Sequence, residues 1–188
     1  MVSGVSGWPV GKYDVVLADP PWHHFGSGVK DAAAAKHYSL LGDSVVSSLP
    51  VRDLLSDRGV VFLWATCPRL DFAVSVLSDW GLFFRGVAFV WVKCRKDGVP
   101  IGAQGVRPTF VKPLTELVLV GSVKRPPGRV LPLLSESVCQ TVFAPRGRHS
   151  AKPGVVRERI VDLFGDVPRL ELFARERVVG WDCWGNEV

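Results

Sequence analysis

Short apolar runs alternate with amphipathic stretches along this chain. Val15-Val16-Leu17-Ala18 is an uninterrupted apolar run closed by two prolines, which predicts a buried strand. Similar runs predict further strands at 59–64, 86–92, 117–121, 138–143 and 169–175. Apolar positions at helical spacing predict a helix over 70–80 that ends at Gly81. Alternating strands and helices favour an α/β fold with a mainly parallel sheet covered by helices.

Two other segments have helical signals. Residues 44–57 predict a helix in two pieces, interrupted by Pro50. Ser150 offers a capping hydroxyl and Pro153 suits a first turn, which predicts a helix that runs on to Phe164 and stops at Gly165.

Length and composition indicate one globular domain spanning residues 1–188. The chain is 47% hydrophobic and 22% charged, and no apolar run reaches the length of a membrane span. Residues 1–10 lack the pattern of a signal peptide, and the four cysteines are widely spaced without a C-x-x-C pair. We therefore expect a cytoplasmic protein with reduced cysteines and no structural zinc or other metal. A net charge of +5 permits a nucleic-acid partner without demonstrating one.

The tetrapeptide Asp19-Pro20-Pro21-Trp22 directly follows the first predicted strand. The strand should deliver the Asp19 carboxylate to the carboxyl edge of the sheet, where open α/β sheets bind ligands. The two prolines make a stiff turn that gives the Pro20 carbonyl one direction. An acid, an aimed carbonyl and an indole suit a planar base that bears an amino group. A strand, a proline turn and a core tryptophan are the alternative interpretation, and the complete tetrapeptide favours chemistry.

The segment Leu17-Ala18-Asp19-Pro20-Pro21-Trp22 resembles the signature of the adenine-N(6) methyltransferases that include the catalytic subunit of the eukaryotic mRNA methyladenosine writer. The likeness is greatest to short bacterial and phage members. It covers residues 13–187, and its specific blocks are 17–22, 148–153 and 170–187. It implies a Rossmann-like, S-adenosylmethionine-dependent methyltransferase fold in permuted order, with the catalytic motif first and the cosubstrate strand near the C-terminus. The absence of any G-x-G-x-x-G sequence agrees with that order.

The resemblance also implies the roles of particular residues. Asp19, Pro20, Pro21 and Trp22 would be catalytic, and no covalent intermediate is needed. Tyr38 would lie by the target base. Lys93, at the end of a strand, and Lys112, in a polar loop that suits phosphate contacts or is simply a solvated charge run, are the other candidate substrate-binding residues. S-adenosylmethionine would be held by Asp19, Lys124, Phe173, Arg175, Arg177, Asn186 and Glu187. Thr109-Phe110-Val111-Lys112 departs from the stretch that bacterial relatives often carry there.

These implications lead to an enzyme that methylates adenine at N(6), with DNA favoured over RNA as its partner and no membrane association. RNA methylation is one alternative. A non-catalytic scaffold subunit is another, although the intact tetrapeptide argues against it. A plain nucleotide-binding α/β domain is a third. The sequence is compatible with a homodimer or with a separate partner subunit.

Overall fold

A computed structural model describes residues 7–21, 42–102, 110–147 and 151–188. The predicted Trp22 and Tyr38 lie outside these residues. The described strands, in chain order, are β1 (Tyr13–Ala18), β2 (Leu55–Thr66), β3 (Phe83–Cys94), β4 (Thr115–Ser122), β5 (Thr141–Pro145), β6 (Arg169–Leu172) and β7 (Asp182–Trp184). The described α-helices are α1 (Asp43–Ser47), α2 (Leu70–Asp79) and α3 (Val155–Phe164), and 3₁₀ turns span Val51–Leu54 and Cys67–Arg69.

The seven strands form one sheet in the order β5-β3-β4-β2-β1-β6-β7. Neighbouring strands are parallel except that β4 is antiparallel to both β2 and β3. The predicted Rossmann-like, mainly parallel α/β fold is confirmed. The antiparallel strand matters for the site, because its first residues lie where its neighbours end.

The apolar runs are continuous because both faces of the sheet are covered. Val16 packs in a core with Ala73, Val76 and Leu77 of α2, whereas Val15 packs on the other face with Ile160 of α3. Side chains alternate along a strand, so each face needs its own apolar residues. Residues 15–18 of β1 are at most 2% exposed, as a doubly covered central strand requires.

Helix ends follow the predicted glycines, but other boundaries differ from prediction. Helix α2 begins at Leu70 and Gly81 follows it with φ +71°, and Gly165 caps α3 with φ +73°. The predicted start of α3 is wrong: the helix begins at Val155 after Gly154, and no side chain caps it. Ser150 lies outside the described residues.

The strands also differ from the predicted ones. Strand β2 begins at Leu55, inside the predicted second helical piece. Its pairing with β1 shifts register between Tyr13 and Val15, so the first residues of β2 show no regular alternation. Strand β6 ends at Leu172 because Phe173 adopts φ +62°, a left-handed conformation that leaves the sheet. Strand β7 was not predicted, since three partly exposed residues give no pattern.

Candidate functional site at the carboxyl edge of the sheet

Strand ends from across the sheet meet at one edge. Asp19 follows β1 and its N–H donates to the carbonyl of Leu172, the last residue of β6. Glu116 stands near the start of the antiparallel β4, opposite Thr66 of β2 and Trp91 of β3. The carboxyl ends of parallel strands and the amino end of β4 therefore share one edge, where ligands bind in such folds.

Four charged side chains form an alternating row at this edge. The ammonium of Lys152 lies 2.8 Å from Oδ1 of Asp19 and 3.4 Å from Oε2 of Glu116. Lys93 donates to Oε1 of Glu116 at 2.5 Å. The Asp19 and Lys152 side chains are only 12% and 17% exposed, so these charges are largely removed from water and depend on one another.

Burial and neighbouring charges shift the pKa of these groups in different directions. Burial raises the pKa of Asp19 above 3.8, against the opposing effect of Lys152. Burial also tends to raise the pKa of Glu116, but Lys152 and Lys93 outweigh it and hold that pKa below 4.5. For Lys152, burial acts to lower the pKa, and the two carboxylates keep it above 10.5. A buried carboxyl with a raised pKa beside a fixed cation is typical of a functional site.

Two buried indoles underlie the two lysines. Trp64 and Trp91 meet edge to face with ring centroids 6.0 Å apart, and the Trp91 N–H donates to the carbonyl of Ala144. The Lys152 ammonium lies 5.5 Å from the Trp64 ring centre, and that of Lys93 lies 5.1 Å from Trp91. Both tryptophans are core residues, and their ring faces help to hold the cations.

The turn after β6 and the C-terminal tail form the adjoining part of the edge. The N–H of Ala174 donates to the carbonyl of Trp184, the last residue of β7, at 2.9 Å. A Cβ on Gly185 would come within 2.7 Å of the Ala174 nitrogen, so only glycine permits this approach. The Trp184 ring packs edge to face on Phe173. Asn186 and Glu187 follow at the same end of β7.

A further carboxylate, that of Glu171, lies near Asp19. Glu171 of β6 is the register partner of Leu17, and its Oε2 is 3.4 Å from Nε of Arg157 on α3. Arg157 also donates hydrogen bonds from its two terminal nitrogens, Nη1 and Nη2, to Oε1 of Glu176. Burial raises the pKa of Glu171, Arg157 opposes the shift, and the Asp19 charge adds to it.

The structure separates the predicted cosubstrate residues. Phe173, Arg175, Asn186 and Glu187 lie at the carboxyl edge. The Arg175 charge acts to lower the pKa of Asp19 and of Lys152, although stronger effects leave both pKa values raised. Lys124 lies beyond the carboxyl end of β4, which is the opposite edge of the sheet. The structure therefore does not bring Lys124 together with the other predicted cosubstrate residues, because β4 runs antiparallel, a direction that its apolar run does not indicate.

Arg177 lies apart from the row of charges. It is exposed and lines a surface cavity of about 570 Å³ together with Tyr13, Asp182 and the segment 178–184. Tyr13 begins β1 and donates to Asp182 at the start of β7, so this cavity lies at the amino edge. Six residues of β1, about 20 Å, separate it from the Asp19 end.

The predicted substrate residues have different surroundings. Lys93 belongs to the charge row, whereas Lys112 is exposed four residues before Glu116. Sequence reasoning missed Lys152, Glu116 and Glu171. Lys152 was interpreted as part of a basic turn, and a single Glu at the start of an apolar strand, as at Glu116, was the signal that could have identified that residue. In the part of the chain that the structure describes, no cluster of His, Cys, Asp and Glu could hold a metal ion, and no helix could cross a membrane.

Comparison with known proteins finds relatives over most of this chain. The MT-A70 family profile matches residues 13–187. The type II methyltransferase M.MunI of Mycoplasma sp is 30% identical, with 96% of this chain and 79% of that protein covered. The N6-methyladenosine RNA methyltransferase MTA1 of Pyricularia oryzae is 27% identical, and the human N(6)-adenine-specific methyltransferase METTL4 is 25% identical. Each of these two matches covers 94% of this chain, but only 47% and 37% of the respective relative. This chain therefore belongs to the MT-A70 family.

Proposed function

We propose that this protein transfers a methyl group from S-adenosylmethionine to the 6-amino group of adenine in DNA. The observation that carries the proposal is the buried Asp19 carboxylate. It directly precedes Pro20-Pro21 and is held at 2.8 Å by a lysine that a second carboxylate also contacts. Family membership supports the reaction class.

The nucleophile sets the chemical problem. The lone pair of the adenine amine is delocalised into the ring, so the amine must be held with its lone pair directed at the methyl donor. Lys152 occupies Oδ1 of Asp19, and we assign Oδ2 to accept an N–H of the amine, with the Pro20 carbonyl as the second acceptor. Positioning of the two substrates then supplies most of the rate enhancement.

The raised pKa of Asp19 fits either of two proton routes. The ionised carboxylate accepts the hydrogen bond, and its raised pKa also makes it a better proton acceptor than an exposed aspartate. As the N–C bond forms, the bond between the sulfonium sulfur and the methyl group would break and S-adenosylhomocysteine would leave. The amine nitrogen would give its proton either to Asp19 or to water. Lys152 keeps Asp19 in one orientation in both cases.

The cosubstrate fits beside Asp19, at the ends of β6 and β7. Its sulfonium supplies the methyl group. A guanidinium at Arg175 suits the methionine carboxylate, and the Asn186 amide with the Glu187 carboxylate suits the ribose hydroxyls. The close backbone approach at Gly185 keeps these two segments together.

DNA is the substrate that we propose over RNA. The support is the identity of 30% to the type II methyltransferase, against 27% to the RNA methyltransferase. The match also covers 79% of the type II methyltransferase, but only 47% of the RNA methyltransferase. The net charge of +5 suits either nucleic acid. A scaffold role would not require the paired acid and lysine that this site retains.

Methyl transfer to defined nucleic acids tests the proposal. Purified protein is incubated with methyl-labelled S-adenosylmethionine and duplex DNA, single-stranded DNA or RNA, and the products are digested to nucleosides. We expect labelled N(6)-methyladenine from DNA, and none with Asp19→Ala. Transfer to RNA alone would replace DNA by RNA as the substrate. Binding of the cosubstrate without transfer would indicate a missing partner subunit. The absence of both binding and transfer would refute the proposal.

A further inference from the structure

An exposed apolar pair stands at the same edge as the charge row. Phe110 and Val111 are 95% and 78% exposed, and the exposed Lys112 follows them. A single exposed valine is ordinary on a protein surface, but an adjacent Phe–Val pair at the edge that holds the charge row is a candidate contact surface. The pair leads directly into β4, the strand that carries Glu116.

Local contacts fix where this stretch begins and ends. Lys93 donates its N–H to the carbonyl of Leu114 and accepts from the N–H of Ile101. The chain after β3 makes a tight turn, with Arg95 N–H to Val99 carbonyl at 2.9 Å, and returns along the end of the strand. A Cβ on Gly102 would meet the Lys112 stem at 2.8 Å, so Lys112 lies directly against that returning segment.

The distance to the site is short. Six residues separate Phe110 from Glu116, so their Cα atoms are at most about 20 Å apart, and Lys112 is within about 14 Å of Glu116. The major groove of DNA is about 12 Å wide. Residues 110–112 therefore lie within reach of a duplex that delivers a base to Asp19.

Charge favours nucleic acid over a protein surface as the occupant. Arg95 is paired with Asp97, but Lys96 and Lys112 form no ion pair with the described part of the chain. An exposed Phe two residues from Lys112, which has no ion pair among the described residues, matches the side chains that insert at base steps while lysines contact the phosphates. A base in a duplex must leave the stack before its 6-amino group can be methylated, and unstacking the neighbouring step lowers that cost.

We propose that Phe110 and Val111 are a wedge that inserts at a base step of duplex DNA beside the target adenine, with Lys112 on the adjoining phosphate. This inference rests on the proposed function. Its consequence is specific: the wedge promotes extrusion of a paired base and has no part in the methyl transfer itself.

The test compares a paired target with one that is already unpaired. After the methylated position has been mapped, Phe110→Ala/Val111→Ser is assayed on the intact duplex and on the same duplex with an abasic site opposite the target adenine. We expect about a tenfold loss of kcat/KM on the intact duplex and less than a twofold loss on the abasic one. Phe110→Trp should retain activity on both. Val10→Ser and Val179→Ser are matched controls, because these valines are 95% and 101% exposed at the opposite edge.

A fluorescence readout is independent of turnover. With 2-aminopurine in place of the target adenine, the wild-type protein should raise the emission on binding, and the double variant should not. Equal losses on both duplexes, or no loss on either, would overturn the wedge and leave the methyltransferase proposal standing. A change of oligomeric state in the variant with unchanged activity would identify the pair as a protein contact instead. A wild-type protein that neither binds S-adenosylmethionine nor methylates any nucleic acid would refute the proposed function, and the wedge with it.

Discussion

The Lys152 ammonium bridges two carboxylates, with Oδ1 of Asp19 at 2.8 Å and Oε2 of Glu116 at 3.4 Å. The three side chains come from the end of β1, the segment before α3 and the start of β4. Because these side chains are largely removed from water, their charges depend on one another. Lys152 therefore fixes the orientation of Asp19, the acid that we place on the substrate amine. The same bridge also links the two sides of the carboxyl edge.

Removal of the bridge should be costly. Lys152→Met leaves two buried carboxylates beside each other, and breaking a buried pair in this way costs about 3 kcal/mol or more. We expect that loss in the free energy of unfolding measured by denaturant at pH 7. Asp19→Asn/Lys152→Met should recover part of it, because the stranded charge is gone. Lys124→Met, at the opposite edge and exposed, is the control and should change stability by less than about 0.5 kcal/mol.

Acid should destabilise the protein partly through Glu116. Its pKa is held below 4.5 in the folded state, so its contribution to stability is present above pH 4.5 and is lost as the pH falls through the lowered pKa. Glu116→Gln should make the stability curve flatter below pH 4.5. The measurement is thermal unfolding between pH 3 and 6, with the exposed Glu136→Gln as control. A variant curve parallel to that of the wild type would contradict the assignment.

Gly185→Ala should loosen the cosubstrate part of the site. The added Cβ would collide with backbone atoms of Ala174, including its nitrogen at 2.7 Å, and backbone cannot move aside cheaply. We expect a stability loss of about 2 kcal/mol and weaker S-adenosylmethionine binding by calorimetry. Gly154→Ala is the matched control, since a Cβ there meets nothing within 4 Å and the residue already has φ −58°. Equal effects of the two substitutions would argue against a role for this contact.

The three cations that the sequence assigned to the cosubstrate should differ in their effect on cosubstrate affinity. Arg175→Ala removes a charge that acts on Asp19 and Lys152, and we expect a loss of about tenfold or more. Arg177→Ala and Lys124→Ala should change the dissociation constant less than twofold, because one residue lines the amino-edge cavity and the other follows β4. Comparable losses for Lys124→Ala would restore that residue to the site.

The sequence carried enough information for the fold class and for one end of the site. The continuous apolar run of β1 and the prolines after it predicted where Asp19 emerges, because burial on both faces and a blocked strand end are local properties. The direction of β4 is not local: Leu117-Val118-Leu119-Val120 would look the same in a parallel strand. That missing direction is why the predicted set combined Lys124 with residues of the other edge, and why Glu116 was overlooked.

The role of Lys152 shows a second limit. A lysine beside a proline looks like a solvated turn residue, and only packing shows that it lies between two carboxylates over an indole. Phe173 is similar, since its φ of +62° follows from its position between β6 and the Trp184 ring and not from any preference of phenylalanine. Such features arise from contacts between distant parts of the chain.

The most direct test of the account is the single-turnover rate of Asp19→Asn, which keeps the size of the side chain and removes its charge. With enzyme saturated by S-adenosylmethionine and in excess over DNA, we expect methyl transfer to fall about 100-fold or more. The exposed Asp162→Asn on α3 should be indistinguishable from the wild type, and both variants should keep the wild-type fold by circular dichroism. A folded Asp19→Asn protein that transfers the methyl group within about threefold of the wild-type rate would contradict the central role given to this carboxylate.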